Sequence, residues 1–217
     1  MQLLTVNMGT AERSEHTGAP GNLTGIGKRP VSGPVRVVAP GPRGEDGSGL
    51  VGDAVCDLRH HGGDEQAVYA YAREDLDAWE KELGRELPAG AFGENLTTLG
   101  VDVNSALLGE RWQVGSAVLQ VSSMRVPCRT FAGHLGEERW VRRFTERALP
   151  GAYFRVVEEG ALAAGDTVKV TWRPGHSVTV GLLFRALTGE PELLPRLAEA
   201  EEWLPEVGLA RLRARVG

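Results

Sequence analysis

Arg59-His60-His61-Gly62-Gly63-Asp64-Glu65-Gln66 lies between a strand-like run and a helical run, and its reading sets the class of fold. Upstream, Ala54-Val55-Cys56-Asp57-Leu58 alternates as a half-buried strand does. Downstream, Val68, Tyr71, Leu76, Trp79 and Leu83 recur at helical spacing, mostly on one face, which predicts a helix over about Glu65–Leu83. Its first turn or two is equally readable as extended chain. Asp77 and Lys81 support the helix as an i,i+4 pair, and Gly84 followed by Pro88 ends it. A strand that ends on two imidazoles and two glycines before a helix is a place where backbone N–H groups could receive an anion. An ordinary strand–helix turn explains the same residues.

Outward from this junction the chain reads as short strands between glycine- and proline-rich turns. Leu3–Asn7, Pro34–Val38, Arg111–Val114, Ala117–Ser123, Ala152–Glu158 and Asp166–Trp172 are expected strands, and Glu137–Leu149 a second amphipathic helix. From Ser177 onward the pattern is helical: Val178–Leu187, Glu192–Glu202 and Pro205–Arg215, separated by Thr188-Gly189-Glu190-Pro191 and Leu204-Pro205. We therefore expect a mostly β domain with some α over 1–173 and a small three-helix subdomain over 176–217. About 40 residues is marginal for independent folding, so the tail should pack on the β part or on a partner.

Composition agrees. The 217 residues include 29 glycines and 12 prolines, well above the ~12% typical of both together, which fits a turn-rich β fold better than a bundle. The charge of −5 argues against a broad nucleic-acid-binding face. No run is long and apolar enough to span a membrane, and the start lacks a basic, then apolar, leader. A cytoplasmic protein is the expectation. With two cysteines, Cys56 and Cys128, the chain cannot build a four-cysteine zinc or iron–sulfur site.

Two familiar patterns fail. Gly47-Ser48-Gly49-Leu50-Val51-Gly52 spells a dinucleotide fingerprint but lacks the strand before it and the helix after it. Gly27-Lys28 lacks the upstream glycine and the following Ser/Thr of a phosphate loop.

Besides the opening stretch, three segments concentrate chemistry. Gly25-Ile26-Gly27-Lys28-Arg29-Pro30-Val31 puts two cations in a flexible loop, or is a solvated turn. Ala91-Phe92-Gly93-Glu94-Asn95-Leu96-Thr97-Thr98 holds a carboxylate and an amide able to read a heterocycle edge, or an Asn capping its own turn. Met124-Arg125-Val126-Pro127-Cys128-Arg129-Thr130 flanks a cysteine with two arginines, which favour thiolate, or buries an inert thiol. Cys56, next to Asp57, reads as core.

Taken in order, these pieces resemble the MOSC family, and within it the stand-alone YiiM-like branch. Gly25 to Val31 comes first, then His61-Gly62-Gly63 with Gln66-Ala67-Val68-Tyr69 and Tyr71. Phe92-Gly93-Glu94-Asn95-Leu96, Arg125-Val126-Pro127-Cys128 and Tyr153-Phe154-Arg155-Val156 with Gly160 and Gly165-Asp166 follow. The resemblance covers roughly 1–173, and the tail is similar to the branch's helical appendage. It implies a barrel-like β domain holding a molybdenum–molybdopterin cofactor and reducing N-hydroxylated compounds such as hydroxylaminopurines or amidoximes.

Carried onto this sequence, the resemblance makes Cys128 the metal ligand and gives Lys28, His61, Arg125 and Arg129 the anionic parts of the pterin. Gly62, Gly63 and Asn95 would line the cleft, and His61 or Glu94 would donate a proton. Arg129 and His60 lie outside the family's motif. With no iron–sulfur or nicotinamide motif in the chain, an external flavin or iron–sulfur reductase must supply electrons, and the arginine-bearing tail could dock it or be plain solvated helix. A small N-hydroxylated substrate and a homodimer are the other expected partners. Two rivals are a non-catalytic carrier of molybdopterin or sulfur, and a Cys128 hydrolase or transferase using His60 or His61 with Asp64.

Overall fold

Strand β1 (Gln2–Met8) buries Leu3 and Val6 and opens a computed structural model that describes residues 1–216. A short hairpin follows, β2 (Glu12–Arg13) against β3 (Leu23–Thr24), then β4 (Arg29–Pro30) and β5 (Val35–Val37). After a long irregular stretch and a single 3-10 turn (Asp64–Gln66) come β6 (Val68–Ala72), α1 (Arg73–Leu83) and β7 (Leu96–Leu99). The hairpin β8 (Arg111–Val114) and β9 (Ala117–Met124) leads to α2 (Arg129–Leu135) and α3 (Trp140–Arg147). Then come β10 (Ala152–Glu158), β11 (Gly160–Leu162) and β12 (Val168–Trp172). The tail is α4 (Val180–Thr188), a run of 3-10 turns (Pro191–Trp203) and α5 (Glu206–Val216).

The main sheet runs β12-β8-β9-β10-β6-β7-β1-β4. Neighbours are antiparallel except β6 and β7, whose parallel pairing requires a crossover, supplied by α1. The sheet curls until its ends touch. Gln2 bridges Thr167, Leu3 donates to Asp166 O (2.9 Å), and Val168 donates to Met1 O (3.0 Å). The curl is barrel-like, with a seam of a few bonds rather than a full strand pair. The mixed sheet with helices is the class expected.

Three local expectations change. Ala54–Leu58 is irregular, because Ala54 donates to Gly9 O (3.0 Å) and its carbonyl presses on Gly25, where a Cβ would sit 2.0 Å away. The helix expected from Glu65 starts only at Arg73. Val68, Tyr69, Ala70, Tyr71 and Ala72 are all buried, since β6 is a central strand covered on both faces. A helix that the sequence reading does not predict, α2, begins just after Cys128.

Aromatic packing fixes the walls of the site. Trp79 of α1, Phe92 of the loop before β7, Phe131 of α2, and Trp140 and Phe144 of α3 form one cluster, with Phe92 to Phe131 at 5.1 Å and Trp79 to Trp140 at 4.6 Å between ring centroids. The tail joins the same core. Leu108 donates to Val178 O (3.1 Å), Val180 donates to Ala106 O (3.0 Å), and Phe184 meets Phe144 at 6.2 Å. The expected boundary near Gly175 falls in the loop before α4, and the tail leans on the β part. Among the described residues no helix is long and apolar enough to cross a membrane.

Candidate functional site

A cleft of about 600 Å³ opens between the end of β9, the loop before β7, the irregular stretch 48–62 and the hairpin β2–β3. Lys28, His61, Gly62, Asn95, Arg125, Cys128 and Arg129 line it; Gly63 and Glu94 do not.

Arg125 and Cys128 are placed by the end of β9 and the start of α2. Cys128 is the N-cap residue of α2, and its carbonyl accepts from Ala132 (3.0 Å). Arg125 is 8% exposed, with its guanidinium 4.2 Å from the Phe131 ring and 5.3 Å from the Tyr69 ring. Its Nε has no hydrogen-bond partner, and among the described residues it forms no ion pair with a carboxylate. Burial disfavours its charge, but the phenols of Tyr153 and Tyr69 and the Cys128 thiol prevail and raise its pKa. A buried cation left without a counterion costs several kcal/mol, so the site is shaped for an anion.

Lys28 is anchored differently. Its Nζ pairs with Asp53, both side chains being almost wholly buried. Asp53 also accepts from Gly9 N–H (2.8 Å), Ser48 Oγ (2.7 Å) and Asn95 Nδ2 (2.9 Å). Asn95 Oδ1 in turn accepts from Tyr69 N–H (3.1 Å). Burial, assisted by Arg125 and opposed by Asp53, holds the Lys28 ammonium below its ordinary pKa. The Asn95 amide is thus engaged with protein and is not free to read a heterocycle. Asp53 was missed in the sequence because a lone aspartate after a glycine-rich loop carries no pattern.

The two glycines after His61 serve chain crossing rather than an anion cradle. At Gly62 (φ +80) a Cβ would lie 2.5 Å from Gly47 O, and at Gly63 (φ +71) it would lie 2.6 Å from Arg43 Cα. Only a single 3-10 turn follows, so there is no helix end to receive a phosphate. His61 itself is exposed in the cleft, yet surrounding protein and the Arg125 charge push its pKa down to about 4. Its ring is neutral at pH 7 and has no proton to give as an imidazolium. Asp64 accepts from Gly41 N–H (3.0 Å), and among the described residues neither His60 nor His61 hydrogen-bonds a carboxylate. The His–acid pair a thiol hydrolase needs is therefore not formed.

Glu94, expected as a proton donor, is fully buried behind the wall. It accepts from Gly90 N–H (2.6 Å), Phe92 N–H (3.0 Å) and Thr97 Oγ1 (2.9 Å), and burial raises its pKa. Its work is to hold the 90–97 loop in shape. Arg129 donates to Glu15 O (3.2 Å), Thr130 to His16 O (3.3 Å) and Arg59 to Gly18 O (3.1 Å). These bonds tie the β2–β3 hairpin across the cleft as a strap, so Arg129 is a latch and Arg125 the free cation. Cys56 is not core: it is half-buried and lines the cleft, its pKa raised by burial against the pull of Lys28. Gln66 and Tyr153, quoted only for their family resemblance, also line it.

A family model described as the MOSC domain matches residues 57–169, which takes in the His61 loop, Arg125 and Cys128. The chain belongs to the MOSC family. Uncharacterized protein YflK of Bacillus subtilis (strain 168) is similar to it at 32% identity over 208 residues, covering 93% of this chain and 90% of that one. A protein of Gibberella moniliformis (strain M3125 / FGSC 7600) named a reductase is 29% identical over 159 residues, 71% of this chain but 28% of its own length. The crystal structure of YiiM from Geobacillus stearothermophilus superposes with a TM-score of 0.78 at 26% identity, covering 100% of this chain and 99% of that one. That superposition spans the helical tail as well as the β part of this MOSC chain.

Proposed function

We propose that this MOSC protein binds a molybdenum–molybdopterin cofactor in the cleft and uses it to reduce N-hydroxylated compounds. The observation that carries the reading is Arg125, a buried cation with an orphaned Nε, on the same wall as the Cys128 thiol. An anionic pterin fits that charge, and a thiolate is a ligand suited to a soft metal site. Membership of a family associated with this cofactor supports the assignment, and the relative named a reductase supports reductive chemistry.

When bound, the cofactor supplies two-electron redox chemistry that no side chain possesses. Cys128 would hold the metal, and Arg125 would neutralise the cofactor's anionic groups. Lys28, made more acidic by burial and fixed by Asp53, is the group able to hold and release a proton at Nζ. The 90–97 loop, held by Glu94, and the β2–β3 strap limit water access. The net reaction takes two electrons and two protons, breaks N–O, and yields the amine or imine and water. A flavin or iron–sulfur reductase is the proposed electron donor.

Molybdenum per chain, measured by elemental analysis after expression in a cofactor-competent host, tests the reading. We expect near-stoichiometric metal in the wild type and a loss of about tenfold or more in Cys128→Ala. Absence of molybdenum from the wild type would overturn it. Metal bound without N–O reduction under a chemical reductant would make the chain a carrier instead.

A further inference from the structure

The arginines of this chain divide by environment. Arg73, Arg143 and Arg147 are half-buried, and each pairs with a carboxylate. Among the described residues three others are withdrawn from full exposure with no such partner: Arg125 in the main cleft, and Arg111 and Arg155 on the sheet. Arg111 and Arg155 do not line the cleft.

Register sets their place. Arg111 of β8 stands opposite Gln120 of β9, and Gln120 stands opposite Arg155 of β10. Trp172 of β12 stands opposite Arg111 and extends the row to four strands. Opposed residues share a face, and successive residues alternate. Trp112 and Phe154, adjacent in sequence to the two arginines, meet in the core at 4.8 Å, so the row lies on the outer face. Strands are spaced by about 4.8 Å, which starts the two arginine stems about 10 Å apart. Between them Gln120 is only 5% exposed, so its neighbours stand above it and frame a recess. The next row adds one charge of each sign, Lys169 opposite Gln113 and Glu158 opposite Val118, and leaves the balance positive.

The charges are held ready. The Arg111 guanidinium lies 5.5 Å from the Trp172 ring, and Trp172 meets Trp203 of the tail at 5.6 Å. Trp203 in turn sits on Gly109, where a Cβ would lie 2.6 Å from the indole. The Nε of each arginine is enclosed without an acceptor, whereas the terminal Nη nitrogens are not enclosed and have no hydrogen-bond partner among the described residues. An anion in the recess would meet Nη groups from two sides. One guanidinium fork already occupies both oxygens of a carboxylate. A phosphoryl group offers three oxygens and a charge of about −1.5 to −2 at pH 7, enough for both forks.

We infer that Arg111 and Arg155 form a phosphoryl-binding site on the outer face of the main sheet, separate from the main cleft. Free phosphate and the phosphoryl group of a small ester present the same chemistry to it. Trp172, 41% exposed at the end of the row, offers a flat apolar surface to the organic part of an ester. The inference does not depend on the cofactor assignment.

Titration of the full chain with inorganic phosphate and with phenyl phosphate, at low ionic strength and followed by NMR, tests it. Saturable shifts should appear at the amides of Arg111, Gln120 and Arg155 and at the Trp172 indole N–H. Tighter binding of phenyl phosphate assigns the site to esters, and equal binding assigns it to free phosphate. Arg111→Gln and Arg155→Gln should each weaken binding about tenfold. Arg36→Gln, which removes an exposed charge from β5, should leave it unchanged. No saturable binding to the wild type overturns the inference, and so does equal weakening in Arg36→Gln, which would reduce the effect to net charge. Shifts confined to the main cleft, or binding that is lost in Arg125→Met and kept when Arg111 and Arg155 are both replaced, would place the anion in the cleft and overturn it as well. The shift map needs only the wild type, so the test stands if a variant fails to fold.

Discussion

Arg125 concentrates the site's energetics in one side chain. A lone buried charge is destabilising, whereas its stacking on Phe131 and Tyr69 returns part of that, about 2 kcal/mol. Arg125→Met should therefore change the stability of cofactor-free protein by no more than about 2 kcal/mol in urea unfolding. The same variant should retain at least about tenfold less molybdenum after gel filtration. Opposite behaviour, a large loss of stability with the metal retained, would make Arg125 a packing residue. His61 provides the pH signature. Its pKa of about 4 in the folded protein lies below the usual 6.5, so the unfolded chain takes up the proton first. The stability tied to this ring is whole above pH 6.5 and is lost as pH falls toward 4. An NMR titration should place the imidazole midpoint near 4; a midpoint near 6.5 would return His61 as an acid at neutral pH.

Among the elements, the β2–β3 strap is the one poised to move. Its hairpin is paired over Glu12–Thr24 and Arg13–Leu23 with one further backbone bond, from Ser14 N–H to Asn22 O (2.8 Å), and it meets the opposite walls through side chains of Arg59, Arg129 and Thr130. Removing two such bonds should cost about 1–3 kcal/mol locally, since each contributes roughly 0.5–1.5. In the double variant Arg59→Ala, Arg129→Ala, amide exchange across residues 14–24 should speed up by about tenfold, with β9 and β10 unchanged. Release of the proposed cofactor should accelerate in step. Faster exchange in the sheet as well would mean that the two arginines support the fold and not the strap.

For the whole molecule the deciding fact is the shared core. Phe184 of α4 is fully buried and packs on Phe144 of α3, while α4 hydrogen-bonds around Ala106 and Leu108 of the β part. Phe184→Ala should cost about 3–5 kcal/mol, and urea unfolding of both proteins should remain one cooperative transition. Two separate transitions would make the tail an independent domain.

The turn-rich mixed fold, most strands, the helical tail and the family are legible in the residues alone, because hydrophobic periodicity, glycine and proline punctuation and short motifs are local. The same motifs place Lys28, His61, Asn95, Arg125 and Cys128 in one expected site, and the structure gathers them in one cleft. What each residue does there is set by the folded chain. Asp53 became the anchor of Lys28, Asn95 and Glu94 became braces, Arg129 a latch and Cys56 a wall of the cleft. It also turned the start of the expected helix at Glu65 into the central strand β6, buried between β7 and β10. Several of those outcomes depend on partners far along the chain, as in the Asn95–Asp53 contact across 42 positions and the Arg129–Glu15 contact across 114. Burial, counter-charge and free valence are properties of such long-range contacts, and local pattern carries no record of them.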